Sequence, residues 1–227
     1  MNFEEINNGI IKIYGHCPHR ERTIGMYNCI QDIIDKNIKG DFVEAGVAQG
    51  VSSAFAILML KTRNSTERDC WLYDTFEGIE NQKGGWDRPL EWEKDLYGKS
   101  AANMWDNGSL SRPYYSRTVD FVKNKIVQTG YPENKLHFIK GKVEDTIPDA
   151  IPSKISILRL DTDFYLSTKH ELEHLYPLLE KGGYLLIDDY GHFTGAKKAV
   201  HEYFGDDILT KENFYMAGYT CLIHKKI

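Results

Sequence analysis

Two pairs of aspartates have the spacing of a metal site. Asp161 and Asp163 follow the apolar run ISILRL, and Asp188 and Asp189 follow the apolar run YLLI. Each run is typical of a buried parallel strand, and ligands bind at the carboxyl ends of such strands. Clustered carboxylates repel one another unless a cation lies among them, and oxygen ligands suit a hard cation such as Mg²⁺. The pattern predicts a metal site, with solvated strand ends as the alternative.

A turn containing two glycines indicates a nucleoside cofactor. Residues 44–50, EAGVAQG, follow a predicted strand and precede an apolar helix that we expect to begin at Ser52 or Ser53. The turn would let a ligand approach the backbone beside a helix N-terminus. Asp74 ends the next predicted strand, where an acidic side chain can accept ribose hydroxyls. A complete GxGxxG is absent, which argues against NAD, and a plain strand–turn–helix junction is the alternative.

The sequence HELEH, from His170 to His174, matches the HExxH pattern of zinc metalloproteases. Neighbouring apolar residues define the buried face of a predicted helix. At helical spacing both histidines fall about 160° away from that face. We therefore expect a solvated polar face, and a zinc hydrolase that uses His170 and His174 is the less favoured alternative.

The segment 81–116 interrupts the regular pattern of the chain. It is polar and unusually aromatic, with Trp86, Trp92 and Trp105 among its rings. Long insertions between sheet elements are usually functional or disordered, and the aromatic content argues against disorder. We interpret the segment as an insertion or lid that lines a substrate pocket or forms the interface of a homo-oligomer.

Composition limits the class of protein. The 227 residues are 41% hydrophobic and 27% charged, which fits one globular domain, with residues 1–39 as an N-terminal cap. The net charge of −5 gives no reason to expect nucleic acid as a partner, and no apolar run is long enough to span a membrane. The four scattered cysteines fit free thiols in a reducing compartment, so we expect a cytoplasmic protein.

The elements that position these residues alternate between strand and helix. Such alternation predicts a doubly wound, mostly parallel α/β sheet. The predicted helix that follows Asp163 ends at Gly182-Gly183. Other helices are expected over residues 24–38, from Ser52 or Ser53 onward, and over 118–129 and 195–204. Strands are expected at 41–46, 70–73, 135–139, 155–160 and 184–187, followed by a hairpin at 213–217 and 220–224.

The chain resembles the Mg²⁺-dependent, S-adenosylmethionine-dependent O-methyltransferases of the macrocin type, which methylate sugar hydroxyls of macrolide antibiotics. The resemblance extends from about Arg20 to Phe204. It depends on the ordered segments RERTIG, GDFVEAGVAQGVSS, LYDTFEGI, LRLDTDFYLST, LYPLLEKGGYLLIDDYG and GAKKAVHEYF. It implies a class I methyltransferase (Rossmann-like) fold whose last strand is antiparallel.

The resemblance also assigns site residues. It implies that S-adenosylmethionine is bound by Thr23, Ile24, Glu44, Gly46, Val47, Ala48, Asp74, Thr75, Phe76, Glu77, Gly78, Lys142 and Val143. It implies that Mg²⁺ is bound by Asp161, Asp188 and Asp189, with Asp163 nearby as a supporting or alternative ligand.

The expected reaction is methyl transfer to an acceptor hydroxyl. A metal ion can lower the pKa of a coordinated hydroxyl, and a vicinal diol could chelate it. The candidates for accepting the proton are Asp161, Asp163 and His192. The expected partner is a small sugar-bearing molecule, either a natural product or a glycan precursor. A catechol or another small diol is an alternative acceptor, and a cofactor-binding protein without activity is the non-enzymatic alternative.

Overall fold

A seven-stranded sheet forms the centre of the molecule. The computed structural model describes residues 1–78 and 117–227, so the predicted insertion at 81–116 lies outside the described residues. The strands lie in the order β3-β2-β1-β4-β5-β7-β6. They are β1 Asp41–Ala45, β2 Cys70–Asp74, β3 Leu136–Lys140, β4 Ile155–Leu160, β5 Leu179–Ile187, β6 Phe214–Ala217 and β7 Cys221–Lys225.

Helices cover both faces of this sheet. The α-helices are α1 Phe3–Tyr14, α2 Arg20–Asp35, α3 Val51–Thr62, α4 Val119–Ile126, α5 Val143–Thr146, α6 Tyr165–His174 and α7 Thr194–Phe204. One apolar core contains side chains of α1 to α4, and a second contains side chains of α6 and α7. The first five strands pair in parallel, and β7 runs antiparallel to β5 and β6. The predicted doubly wound sheet with an antiparallel last strand is confirmed.

Helix α6 is shorter than predicted. It ends at His174, a 3₁₀ turn follows, and β5 begins at Leu179 and continues through Gly182-Gly183. Gly182 has a φ of +82°, and a Cβ on Gly183 would lie 2.8 Å from the carbonyl oxygen of Ser156. Gly183 therefore allows β5 to pass close to β4, and the prediction that the glycine pair terminates a helix was wrong.

The N-terminal part of the chain is more helical than its sequence pattern suggested. Helix α1 occupies residues for which we made no prediction, and a capping box between Asn2 and Glu5 begins it. Helix α3 begins at Val51, ahead of the predicted Ser52 or Ser53, with Gly50 as its N-cap. No helix within residues 1–78 and 117–227 has the length and apolar composition needed to cross a membrane.

Candidate functional site at the carboxyl ends of the strands

Three aspartates converge where β4 and β5 end. Carboxylate oxygens of Asp161, Asp188 and Asp189 all lie within 4.8 Å of one another. They meet because β4 and β5 are paired in parallel, with Leu160 opposite Ile187, so the residues that follow the two strands become neighbours. The structure thus brings together the three residues for which the sequence suggested a shared role in metal binding.

The chemistry of this cluster fits a hard divalent cation. All three donors are carboxylates, which supply the oxygen ligands that a hard divalent cation prefers. Burial raises the pKa of both Asp161 and Asp189 well above the ordinary value, and repulsion from neighbouring carboxylates adds to the effect. A cation among these oxygens would remove that repulsion, so the residues present fit Mg²⁺.

Two arginines, absent from the sequence-based assignments, neutralise part of this charge. Arg159 is buried in β4 opposite Glu44 of β1, and its Nη1 donates to Glu44 and, at 2.7 Å, to Asp161. Its Nη2 lies 2.9 Å from Asp188 Oδ1 as an ion pair without hydrogen-bond geometry. Arg22 of α2 donates to the other oxygen of Asp188. Burial raises the pKa of Asp188, but the two guanidiniums outweigh it and bring the pKa below its usual range.

Asp163 and His192 border the cluster as candidate proton acceptors. The Asp163 backbone N–H donates to a carboxylate oxygen of Asp189 at 3.1 Å, and Asp163 has a left-handed φ of +68°. Burial raises the pKa of Asp163 to about 6. Burial lowers the pKa of His192 to about 4, and the charge of Arg22 adds to the effect. Both side chains are therefore deprotonated near neutral pH, and Asp163 is the stronger base.

Asp74 organises the loop predicted to bind the cofactor. Its two carboxylate oxygens accept backbone N–H groups from Ala48 at 2.8 Å and from Phe76 at 2.7 Å. Ala48 and Phe76 both have positive φ angles, near +50°, which non-glycine residues adopt rarely. Burial raises the pKa of Asp74, against the lowering effect of these backbone donors. The side chain thus joins the turn after β1 to the turn after β2.

Gly46 brings this loop into direct contact with the acidic cluster. It has a φ of +85°, and a Cβ at this position would lie only 1.9 Å from the carbonyl oxygen of Asp161. The Asp161 backbone N–H in turn donates to the Ala45 carbonyl at 2.8 Å. The turn after β1 and the turn after β4 are therefore packed backbone to backbone.

A cavity of about 210 Å³ lies beside Asp161. The segment between α1 and α2, the first turn of α2 and the first turn of α3 form its walls. Residues lining it include His16, His19, Arg22, Thr23, Ser52 and Asp161. Thr23, expected to bind the cofactor, is thus close to the acidic cluster, whereas Ile24 is exposed and is not among the residues that line the cavity.

Two of the residues predicted to bind the cofactor, Glu44 and Val47, are buried near the turn after β1. Glu44 is fully buried and bound by Ser53 and Arg159, so its carboxylate is directed into the protein. Its neighbour Val47 is also buried. The Ser53 hydroxyl therefore donates to a buried carboxylate and does not cap α3.

The remaining predicted residues follow β2 and β3. The Thr75 hydroxyl donates to the Gly78 carbonyl at 3.1 Å, and Glu77 pairs with an exposed lysine of β3. Lys142 is exposed before α5, and Val143 is buried. The Gly141 backbone N–H donates to the Asp74 carbonyl, so this segment adjoins the end of β2.

The HELEH sequence forms no metal site in the described part of the chain. The rings of His170 and His174 lie 4.1 Å apart, and His170 Nε2 is 3.0 Å from the Ile147 carbonyl oxygen. Both rings are half-buried, and Glu171 between them is fully buried, so the prediction of a solvated face was wrong for Glu171. Within residues 1–78 and 117–227, the aspartate cluster is the only group of three or more candidate metal ligands.

The strand order and the turns after β1 and β2 define a class I methyltransferase fold. The O-methyltransferase NovP has this fold with a TM-score of 0.73 and 25% identity, over 91% of this chain and 79% of its own. A calicheamicin methyltransferase shares it with a TM-score of 0.59 at 15% identity, over 98% of this chain and 91% of its own. The chain belongs to the macrocin-O-methyltransferase (TylF) family, whose model matches residues 18–226.

The chain is also similar to curated proteins that are named as O-methyltransferases. The 8-demethyl-8-(2,3-dimethoxy-alpha-L-rhamnosyl)-tetracenomycin-C 4'-O-methyltransferase of Streptomyces olivaceus is 31% identical over 82% of this chain and 66% of its own length. The mycinamicin III 3''-O-methyltransferase of Micromonospora griseorubida is 30% identical over 81% of this chain and 67% of its own. The aligned segments thus span about two thirds of the relatives' length.

Proposed function

We propose that this protein is an S-adenosylmethionine-dependent and Mg²⁺-dependent O-methyltransferase. Its acceptor would be a hydroxyl, one of a vicinal pair, on a sugar of a natural product or glycan precursor. The observation that carries the proposal is the contact between the proposed cofactor site and the acidic cluster. The turn after β1 packs against the backbone of Asp161, and the side chain of Asp161 belongs to the acidic cluster. The names of the relatives, which are sugar O-methyltransferases, support the choice of acceptor.

The loop around Asp74 would hold S-adenosylmethionine. The Asp74 carboxylate accepts the backbone N–H groups of Ala48 and Phe76 and, at 3.5 Å, the Thr75 hydroxyl. These donors hold it at the junction of the two turns, where it would accept a ribose hydroxyl. The turn at Gly46 would bind the methionine end through its backbone, and Thr23 lines the neighbouring cavity beside Asp161.

Asp161, Asp188 and Asp189 would hold Mg²⁺, which when bound lowers the pKa of an acceptor hydroxyl and orients a vicinal diol. Arg159 and Arg22 keep Asp188 ionised, so one ligand of the set carries its negative charge permanently. The same guanidiniums hold the carboxylate in place from two sides.

We assign proton removal to Asp163. Its pKa of about 6 leaves it ionised near neutral pH yet basic enough to accept a proton as the oxygen attacks. Asp161 is bound to Arg159 at 2.7 Å, and a protonated His192 would face the positive charge of Arg22. Asp163 makes no hydrogen bond to either guanidinium among the described residues, and as a carboxylate it becomes neutral rather than positively charged when it accepts a proton.

We also propose that the enzyme acts in the cytoplasm as a homo-oligomer. Free cysteines fit a reducing cytoplasm, where the enzyme would act on a small sugar-bearing molecule. The homo-oligomer and the substrate contacts predicted for the insertion depend on residues outside the described ranges.

A direct test measures S-adenosylhomocysteine release from a panel of acceptors. The panel contains glycosylated natural products, nucleotide sugars and catechols. We expect turnover with a sugar acceptor, loss on chelation and recovery with Mg²⁺. Asp188→Asn should reduce kcat/KM by at least about 100-fold because a metal ligand is lost. Asp120→Asn, on the exposed surface of α4, is the matched control and should behave as wild type.

Each part of the proposal has its own contradicting result. Failure to bind S-adenosylmethionine would overturn the methyltransferase assignment. Turnover that chelation leaves unchanged would remove the metal from the reaction. Methylation of catechols alone would move the acceptor from sugars to aromatic diols.

A further inference from the structure

Glu171 is a buried acid that the proposed reaction leaves unexplained. Its side chain on α6 is fully buried, and Oε2 accepts the Thr162 hydroxyl at 3.2 Å. The other carboxyl oxygen, Oε1, has no hydrogen-bond partner among the residues that the structure describes. Burial raises the pKa of Glu171 well above its usual range, with the charges of Glu144 and Asp161 adding to the effect. A carboxyl group held in this way destabilises the fold.

The partner of Glu171 lies between two residues of the proposed site. Thr162 follows Asp161 and precedes Asp163, whose backbone has the strained φ of +68°. The Thr162 carbonyl accepts the N–H of Phe164 at 2.8 Å and the Ser167 hydroxyl at 3.5 Å. Helix α6 therefore holds both the side chain and the backbone of Thr162.

An apolar side chain would suit the position of Glu171 better if packing alone mattered. Leu172 of the same helix and Leu175, which directly follows it, are fully buried in the second core. A methionine of similar length at position 171 would remove the unpartnered oxygen without leaving a large cavity. Costly polar groups of this kind occur most often where function requires them.

We propose that Glu171 is a positioning residue that acts through Thr162 to hold the turn of residues 161–163. By fixing this turn it orients the Asp161 carboxylate toward the cation and Asp163 toward the acceptor hydroxyl. Residues that support metal ligands in this way commonly affect metal affinity as well as activity. The inference rests on the proposed metal-dependent methyl transfer, and it adds a residue from the HELEH sequence to that site.

The test compares Glu171→Met, Glu171→Gln and Thr162→Val with wild type. Unfolding temperature and Mn²⁺ affinity are measured on the protein alone, and kcat and KM with the best acceptor. We expect Glu171→Met to unfold about 2–4 °C higher. Its Mn²⁺ affinity and kcat should both fall about 10- to 100-fold, with the KM for S-adenosylmethionine unchanged.

Two further variants separate positioning from general packing. Glu171→Gln retains an acceptor for Thr162 and should keep kcat within about threefold of wild type. Thr162→Val should reproduce the kinetic loss of Glu171→Met, and the double variant should be no worse than either single one. Glu173→Gln, on the exposed side of α6, is the matched control.

Unchanged Mn²⁺ affinity in Glu171→Met would overturn the inference. A loss of Mn²⁺ affinity together with a lower unfolding temperature would also overturn it, because that combination indicates a structural role. The measurement of Mn²⁺ affinity also separates this inference from the proposed function. If wild type binds Mn²⁺ but methylates nothing, a 10-fold weaker affinity in Glu171→Met would still support the positioning role. A wild-type protein that does not bind Mn²⁺ would refute the positioning role together with the metal site, whereas the methyltransferase assignment would still be tested by binding of S-adenosylmethionine.

Discussion

Aspartates of one cluster respond differently to their surroundings. Asp188 faces two guanidiniums, and its pKa lies below the usual range. Asp189 faces mainly other carboxylates and is buried, so its pKa lies well above that range. The division leaves Asp188 ionised, whereas the other two proposed ligands would exchange their protons for a cation. Such a site should bind a divalent ion more tightly as the pH rises.

Replacing Asp163 with asparagine should separate stability from activity. An acid whose pKa is raised on folding destabilises the folded state when ionised, and this penalty disappears as the pH falls through the folded pKa. For Asp163 that window lies between about 6 and the ordinary value of 3.8. In chelator at pH 8 we expect Asp163→Asn to unfold about 2–6 °C above wild type, with the difference vanishing toward pH 4.

The same variant should also lose activity. Thermal melts measure its stability, and methyl-transfer assays measure its activity. Loss of the proton acceptor should lower kcat about 10²- to 10⁴-fold. Asp120→Asn serves as control because its exposed side chain should change neither quantity. A stability difference that grows as the pH falls would contradict the assigned direction of the pKa shift.

The sequence led directly to the acidic residues but not to their partners. Aspartates after apolar runs are visible because the strand pattern shows where each run ends. Arg159 lies inside such a run, ISILRL, where a single charged residue does not change the prediction of a buried strand. A charged residue within a buried strand requires an opposite charge nearby, and that was the available signal. Arg22 gave no such signal because its partner Asp188 is 166 residues away in the chain.

At the scale of elements, helix α1 extends the site beyond the residues that the family model matches. The match begins at residue 18, whereas α1 ends at Tyr14. The Tyr14 hydroxyl donates to the Gly50 carbonyl at 3.0 Å, at the N-cap of α3. Lys125 of α4 donates to the carbonyl of Ile13 and fixes the end of α1. The helix thus braces the glycine turn after β1.

Tyr14→Phe should therefore weaken cofactor binding. The change removes one hydrogen bond and leaves the ring, so the net effect is about 0.5–1.5 kcal/mol. We expect the Kd of S-adenosylhomocysteine, measured by calorimetry, to rise about 2- to 10-fold. Tyr131→Phe is a matched control because its buried hydroxyl also donates to backbone carbonyls, those of Ser65 and Arg68, away from the glycine turn.

The two tyrosine variants differ in what they should change. Tyr131→Phe should lower the unfolding temperature and leave the Kd at its wild-type value. An equal change of Kd in both variants would show that Tyr14 stabilises the whole fold rather than the turn.

Element boundaries show where sequence patterns stop being informative. Apolar runs located the buried strands, and periodicity located α7, because both patterns reflect local burial. The end of α6 was misplaced because Gly183 serves a close approach of two strands, which depends on a partner distant in the sequence. Helix α1 was overlooked although the capping residues Asn2 and Glu5 preceded buried isoleucines at helical spacing. That signal consists of two capping residues and two isoleucines, and the polar residues around them obscure it.

At the scale of the whole molecule, the site lies where the direction of winding changes. From β1 the chain continues through α3 to β2 and β3 on one side, and from β4 it continues through α6 to β5 on the other. Beyond the turns after β1 and β4 the chain continues to helices that pack in different cores, α3 in one and α6 in the other. The crevice outside the strand ends at such a point is the usual ligand site of these sheets. Gly46 and Asp161 form the floor of that crevice, so one close backbone contact joins the proposed cofactor and metal sites.

Gly46→Ala tests that contact against Gly15→Ala. Both glycines have φ angles above +80°, so each substitution costs about 1 kcal/mol from backbone strain alone. A Cβ at Gly15 meets nothing within 4 Å, whereas at Gly46 it would lie 1.9 Å from the Asp161 carbonyl oxygen. We expect Gly15→Ala to unfold about 2–4 °C lower and to bind S-adenosylhomocysteine and Mn²⁺ normally. Gly46→Ala should weaken both ligands at least about 10-fold, because moving the contact displaces both turns. Loss of only one ligand would show that the two turns are mechanically independent.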